Sequence, residues 1–291
     1  MLARGPAQPG AFDPRPSGPL TIRVGAQTIL VGDCSELLRR LAPRSIDVVV
    51  TSPPYNIGLN YGSYDDGGDR AGYLAMMRDV GSLIETVLKD DGSFFLNLAG
   101  TSSDPWIPFD VANAVREIFT LQNSIVWVKS ISIEDRSFGH FKPVNSRRYL
   151  NRTHETIFHF SKAGATPLDR LAVGVPFQDK SNIARWGHAS DRRCAGDAWF
   201  IPYKTIRSKG QRHHHPSPFP VELPERCIKL HGVVGATVLD PFLGIGSTLL
   251  AAARLGCSGI GIEIDPAYAE AAAGRLREAC DAYRSRSRID T

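Results

Sequence analysis

Apolar residues along this chain fall into short blocks of two kinds. Continuous apolar runs rich in Val and Ile occupy Thr28–Val31, Ile46–Val50, Ser93–Leu98, Thr237–Leu239 and Gly259–Ile264. Such runs predict strands buried on both faces. Helical spacing recurs over Cys34–Leu41, Tyr73–Leu88, Val111–Phe119, Val221–Leu230 (opened by Pro220), Ser247–Leu255 and Pro266–Tyr283. The second of these should stop near Asp90-Asp91-Gly92. Ile125–Val128 and Glu155–Phe160 have strand character and flank a loop dense in Arg, Lys, Asn and aromatic residues. From Lys162 to His215 the pattern turns irregular. Strands alternating with helices predict an α/β fold, a doubly wound, mostly parallel sheet, with the irregular stretch inserted in it or packed on it. Residues 1–20 are dense in Pro and Gly and read as a flexible arm.

Composition adds little until it is divided along the chain. With 42% hydrophobic and 22% charged residues, the 291-residue chain is ordinary for a soluble globular protein. No run is long and apolar enough for a membrane span, and the N-terminus lacks an apolar signal core, so a cytoplasmic protein is expected. Five scattered cysteines without a C-x-x-C pair argue against a disulfide framework or zinc ribbon and fit a reducing compartment. The net charge is only +4. Residues 130–215, however, hold 15 Lys+Arg against 7 Asp+Glu, which leaves −4 on the rest. A basic middle in an acidic frame predicts a polyanion partner for that region, against the plainer alternative of a solvated basic face.

Ligands of open α/β sheets bind beyond the carboxyl ends of strands, so the loops there carry the candidate chemistry. After Val238-Leu239 comes Asp240-Pro241-Phe242-Leu243-Gly244-Ile245-Gly246-Ser247-Thr248, a strand, a G-x-G turn and a helix. Its glycines let backbone approach a ligand closely. The third glycine of a dinucleotide fingerprint is replaced by Leu249, which disfavours a nicotinamide oxidoreductase. Glu263 follows Gly244 by 19 residues, where an acid can accept both ribose hydroxyls of a nucleoside. The second loop, Thr51-Ser52-Pro53-Pro54-Tyr55, follows a buried strand directly. Two prolines fix the backbone and remove two N–H donors. The result is an acceptor-rich, aromatic array suited to a planar amino group, with a merely rigid turn as the alternative.

Together these motifs resemble those of S-adenosylmethionine-dependent DNA amino-methyltransferases of the permuted β class, whose catalytic motif precedes the target-recognition region and cofactor loop. The resemblance runs from about Leu30 to Asp265, excluding the middle insertion. It implies a Rossmann-like methyltransferase fold with circularly permuted motif order. The implied divisions are residues 21–162 (catalytic half), 163–214 (target recognition) and 215–291 (cofactor half). S-adenosylmethionine would lie among Asp33, Cys34, Asp240, Phe242, Gly244, Gly246, Thr248 and Glu263, with the His215–Pro220 segment over its methionine end. Ser52, Pro53, Pro54 and Tyr55 would hold the target base. Asp-Pro-Pro-Tyr is typical of adenine N6 methylation and Ser-Pro-Pro-Tyr of cytosine N4, so Ser52 favours N4, with adenine N6 the alternative.

On this reading the partner is double-stranded DNA, whose target base is flipped out of the stack. Arg136, Lys142, Arg147, Arg148, Arg152, Arg192, Arg193 and Lys209 are the candidate DNA contacts, most gripping phosphate. The resemblance also allows a homodimer and a cognate restriction endonuclease as functional partner. Cytosine C5 chemistry needs a cysteine after proline, and no cysteine here follows one. Zinc deaminases need H-x-E and P-C-x-x-C, also absent. His213-His214-His215 lacks a carboxylate or thiol at ligand spacing and reads as a linker, so no metal is expected. Trp127, Trp186 and Trp199 read as packing residues. A non-catalytic DNA-binding module would explain the basic segment but not the cofactor loop.

Overall fold

A computed structural model describes residues 19–59, 63–140, 143–185, 187, 189–203 and 218–287. Its elements are β1 (Thr21–Val24), β2 (Gln27–Val31), α1 (Cys34–Leu38), β3 (Ile46–Thr51), α2 (Arg70–Val87), β4 (Leu88–Leu98), α3 (Ile107–Val115), β5 (Thr120–Val128), β6 (Ser130–Ile133), β7 (Arg136–Gly139), β8 (His154–Ser161), α4 (Ser181–Arg185), β9 (Ala198–Phe200), α5 (Glu222–His231), β10 (Thr237–Asp240), α6 (Ser247–Arg254), β11 (Ser258–Glu263) and α7 (Pro266–Ser287). The main sheet runs β1-β2-β11-β10-β3-β4-β8-β5-β9. The ladders from β2 through β4 are parallel, as is β5 with β9, while β1 and β8 run antiparallel to their neighbours. The mostly parallel, doubly wound α/β sheet anticipated from the sequence is present.

The β-branched residues of β3 explain its central place. Val48, Val49 and Val50 are all buried, with Val49 facing one layer and its two neighbours the other. One layer contains Leu37 of α1, Met77, Val80 and Ile84 of α2, and Val111 of α3. The opposite layer contains Leu223, Cys227 and Ile228 of α5 with Ala251 and Ala252 of α6. Alanines of α7 extend it over β1 and β2. Trp127 and Trp199 are buried packing residues, and Trp186 lies outside the described residues.

Several boundaries differ from the sequence reading. β1 pairs with β2 through a hairpin at Gly25, whose φ of 59° suits a tight turn. α2 starts at Arg70 because the Asp69 carboxylate caps the Gly72 amide at 2.9 Å. Asp90-Asp91-Gly92 does not separate helix from strand. The β3–β4 register passes from Ile46↔Leu88 to Val48↔Ser93, so Lys89 to Gly92 bulge from a ladder that then resumes. α1 and α3 stop earlier than their periodicity suggested, at Leu38 and Val115. The basic loop after β5 contains a hairpin, β6 with β7, whose turn presents Glu134 and Asp135. From the irregular segment, Ala198–Phe200 pairs with β5 and enters the main sheet.

Between the sheet and α5, two buried histidines share one serine. His159 Nε2 lies 3.1 Å and His231 Nδ1 3.0 Å from Ser93 Oγ, and the Phe95 ring stacks on His159 at 4.4 Å. Burial, reinforced by His231, pulls His159 down to about 4 from 6.5. For a base lowered on folding, the stabilising contribution is complete above the unfolded value and declines as pH falls from 6.5 towards 4. At pH 5 this amounts to roughly 2 kcal/mol. His159→Phe should remove that loss. Urea denaturation of wild type and variant at pH 7.5 and pH 5 should show the stability difference moving by roughly that amount in the variant's favour. An unchanged difference would refute the neutral-histidine assignment.

Candidate active site

The two loops singled out above stand side by side. β3 and β10 are neighbouring parallel strands, registered Val48↔Val238 and Val49↔Leu239, and the chain leaves them towards opposite edges of the sheet. That is the switch point where open α/β sheets form ligand crevices. Thr51 and Asp240, 189 residues apart in sequence, meet at 2.7 Å.

A first cavity opens at these strand ends. Its wall includes Gly32, Asp33 and Cys34 after β2, Ser52 to Tyr55 after β3, Phe242 to Ile245 after β10, and Ile262 to Ile264 at the end of β11. Gly244 and Gly246 have φ of 53° and 82°, and a Cβ on Gly246 would lie 2.8 Å from that of Ala272, so this turn requires glycine. The Glu263 carboxylate accepts the amides of Gly244 (2.7 Å) and Asp265 (2.9 Å), which fixes its orientation at the cavity wall. Burial pushes its pKa upward. Asp33 caps α1 through the amides of Ser35 and Glu36. Burial, helped by Asp33, pushes the Cys34 thiol up to about 12, so it stays protonated and serves as an apolar wall.

Three residues that the resemblance put around the cofactor stand behind this wall. Asp240 is buried, accepting hydrogen bonds from Thr51 Oγ1 (2.7 Å), Thr248 Oγ1 (2.6 Å) and the Phe242 amide (3.1 Å). Neither it nor Gly246 nor Thr248 is part of the cavity lining. Asp240 therefore clamps the Pro-Pro loop's strand to the glycine loop. Desolvation raises its pKa to about 6, against the pull of its three donors. Arg275 of α7 holds the same loop by donating to the Ile245 carbonyl. Ser247 Oγ donates to the Phe219 carbonyl at 2.9 Å, fastening the described end of the Pro-rich segment over the cavity. Tyr64, Met76 and Tyr268 also line it and had no sequence signal.

A second cavity, of about 560 Å³, adjoins the first and shares with it Ser52, Tyr55, Pro218 and Phe219. Its floor is a polar cluster. Ser52 Oγ lies 2.6 Å from Tyr55 Oη, which donates to Glu155 Oε2 at 3.2 Å. Asn97 Nδ2 reaches Glu155 Oε2 (2.7 Å), Tyr55 Oη (2.9 Å) and, more distantly, Ser52 Oγ (3.4 Å). Lys129 Nζ pairs with Glu155 Oε1 at 2.8 Å, both largely buried. The carboxylate fixes the Asn97 amide, because the flipped orientation would set two acceptors against each other. Asn97 Oδ1 is then left without a partner among the described residues. Pro54's carbonyl accepts from Tyr73 Oη at 2.7 Å, which locks the loop.

Asn97, Lys129 and Glu155 were missed as site residues. The signal available was a lone polar residue inside an otherwise apolar run, Asn97 in Ser93–Leu98 and Glu155 at the head of Glu155–Phe160. Among the basic candidates, Arg152 borders the second cavity beside His140, Pro143 and Val144. Arg136, Arg147 and Arg148 are exposed, with Arg148 over the Tyr149 ring at 4.9 Å. Among the described residues none of these four forms an ion pair, in contrast to Lys129 and Lys162. Arg192 and Arg193 are exposed further along, Arg192 donating to the Gly174 carbonyl. Lys142 and Lys209 lie outside the described residues.

A glycine loop and a Pro-Pro loop on adjacent strand ends of such a sheet define a Rossmann-like methyltransferase fold. A model of the DNA methylase family (N6_N4_Mtase) matches residues 46–274, and the chain belongs to that family of DNA methyltransferases. It is 28% identical over 254 residues to the type II methyltransferase M.ScaI of Streptomyces caespitosus, covering 84% of this chain and 79% of the relative. To the DNA adenine methyltransferase YhdJ of Escherichia coli K12 it is 26% identical, covering 86% and 83%. Among solved structures, the fold matches PvuII DNA methyltransferase (cytosine-N4-specific) with a TM-score of 0.66 at 23% identity, covering 89% of this chain and 91% of that one. It also matches TTHA0409 of Thermus thermophilus, a putative DNA modification methylase complexed with S-adenosyl-L-methionine, with a TM-score of 0.61 at 26% identity, covering 87% and 95%. No helix among the described residues is long and apolar enough to cross a membrane.

Proposed function

We propose that this protein transfers a methyl group from S-adenosylmethionine to the exocyclic N4 of cytosine in double-stranded DNA. The observation that carries this reading is the pair of adjoining cavities sharing one wall at Ser52 and Tyr55. One fits a nucleoside, with a fixed carboxylate, an apolar flank and a tight turn at Gly244. The other offers acceptors beside an aromatic ring. The TTHA0409 complex supports S-adenosylmethionine as the cofactor.

In this chain Glu263 would accept the ribose hydroxyls, Asp33 and Cys34 would flank the adenine, and Phe242 and Gly244 would border the methionine portion. The bound cofactor supplies a sulfonium methyl, an electrophile that needs no metal and no covalent enzyme intermediate. The protein must supply orientation. An exocyclic amine is a poor nucleophile because its lone pair is delocalised into the ring. N–H bonds to Ser52 Oγ and the Pro53 carbonyl would favour the pyramidal, attacking geometry, and in-line placement supplies much of the remaining acceleration. The base must leave the duplex at a cost of a few kcal/mol, about what stacking on Tyr55 offsets. Arg136, Arg147, Arg148 and Arg152 would hold phosphates and make binding fall with salt.

Ser52 in place of aspartate supports cytosine over adenine. The likeness to YhdJ supports the second reading, transfer to adenine N6. The type II relative supports a modification role alongside a restriction endonuclease. Incubation with labelled S-adenosylmethionine and unmethylated DNA, followed by nucleoside digestion and mass spectrometry, decides between the bases. N4-methylcytosine is expected. N6-methyladenine would overturn the base assignment, and absence of label from all DNA would overturn the reading.

A further inference from the structure

An amino nitrogen that gains a methyl group must shed a proton, and Ser52 is a poor place for it to stop. Resting on the methyl-transfer reading, we propose that Glu155 is the terminal acceptor of a Ser52–Tyr55–Glu155 chain that orients the target amino group and carries its proton away. Glu155 acts through the two hydroxyls, so it is a positioning residue rather than a direct contact of the reacting nitrogen.

The sheet register builds this chain. β4 and β8 pair antiparallel with Asn97 opposite Ile157, so Glu155, two residues from Ile157 on the same face, lies diagonal to Asn97. On the other side of β8, Glu155 is directly opposite Trp127 of β5, and Lys129 follows on that face. Among the described residues, the hydrogen-bond partners of the Glu155 carboxylate are donors: Lys129 Nζ, Asn97 Nδ2 and Tyr55 Oη. With Tyr55 donating to Glu155, Ser52 donates to Tyr55 across 2.6 Å. The Ser52 oxygen then presents lone pairs, not its proton, to the amino N–H of the base. Reversing the chain would point the Tyr55 proton at Ser52 and leave the carboxylate without it.

In the reaction, the nitrogen lone pair forms the new N–C bond while the electrons of the old bond to carbon depart with sulfur. The cationic nitrogen gives a proton to Ser52 Oγ, the Ser52 proton moves to Tyr55 Oη, and the Tyr55 proton moves to Glu155 Oε2. The positive charge lost at sulfur and the negative charge lost at Glu155 cancel, and Lys129 stays protonated. The other titratable or charged groups lining this cavity are His140, Arg152 and Tyr203.

The test measures single-turnover methylation of unmethylated plasmid DNA, with cofactor affinity, DNA KM and thermal midpoint determined in parallel. Glu155→Gln should lower the rate about 100-fold. Cofactor affinity, DNA KM and thermal midpoint should stay near wild type. Tyr55→Phe, which keeps the ring and breaks the chain at its middle, should cost a similar factor. The double variant should fall little further, as expected of groups acting as a unit. A Glu155→Gln rate within roughly twofold of wild type would overturn the proposal. So would a rate loss matched by equal losses in cofactor affinity and thermal midpoint, which would make Glu155 structural. If wild type itself labels no DNA, the functional reading fails and takes this proposal with it.

Discussion

Tyr55→Ala should lower methyl transfer by about three orders of magnitude while changing S-adenosylmethionine affinity only a few-fold. Tyr55 lines both cavities, so its loss removes the surface on which an extruded base would stack. Stacking of a base on an aromatic side chain is worth about 1–3 kcal/mol. Removing the ring also removes Tyr55 Oη, which positions Ser52 at 2.6 Å. Misplacing the reacting atom by about 1 Å can cost another 100-fold. Ser52→Ala should show a smaller loss of the same kind, because stacking remains. Equilibrium titration with the cofactor, beside single-turnover rates, separates the two effects. A Tyr55→Ala protein that turns over at the wild-type rate would remove the Pro-Pro loop from the catalytic site.

The second large effect is expected at Asp240. Asp240→Ala leaves the hydroxyls of Thr51 and Thr248 and the Phe242 amide without their common acceptor. Each unsatisfied buried donor costs about 1–3 kcal/mol, offset in part by relief from burying a carboxylate. A net loss of about 3 kcal/mol is expected, with cofactor affinity falling by about tenfold or more as the glycine loop loosens. Asp240→Asn keeps the shape and removes the charge. Because the folded pKa of this acid is raised from 3.8 to about 6, its contribution to stability is complete below 3.8 and lost as pH rises through 6. Wild type should therefore gain stability relative to Asp240→Asn as pH falls from 7 to 4. Urea midpoints at the two pH values check the sign, and a gain in the opposite direction would refute the buried-carboxylate account.

The loss expected at Asp240 also marks the limit of sequence reasoning about the cofactor loop. The motif placed Asp240 around the cofactor; in the fold its side chain is buried and bonded to Thr51, Thr248 and the Phe242 amide. For Glu263 the spacing from Gly244 suggested an acid for ribose hydroxyls; in the structure its carboxylate accepts the Gly244 amide at 2.7 Å at the cavity wall. A strand–turn–helix–strand unit is nearly local, and local spacing is what a sequence displays.

The basic middle region was legible only in part. Charge counting singled out residues 130–215, yet it could not show that the turn between β6 and β7 presents Glu134 and Asp135. Nor could it show that Ala198–Phe200 extends the main sheet beside β5. Both depend on backbone pairing, to which a charge count is blind.

The sequence by itself determined the alternation of elements, the glycine and Pro-Pro loops at strand ends, and the family to which they belong. The alternation and the loops rest on apolar periodicity, on the fixed φ of proline and on the left-handed freedom of glycine, all properties of neighbouring residues, and the family rests on the resemblance of those motifs. Only the tertiary structure decided that β3 and β10 lie side by side, that Asp240 clamps them, and that Asn97, Lys129 and Glu155 converge beneath Ser52 and Tyr55. Those contacts join residues far apart in the chain, and strand order and register set them. A one-residue slip of β8 against β4 would send Glu155 to the opposite face of the sheet, and nothing local to Glu155 forbids it.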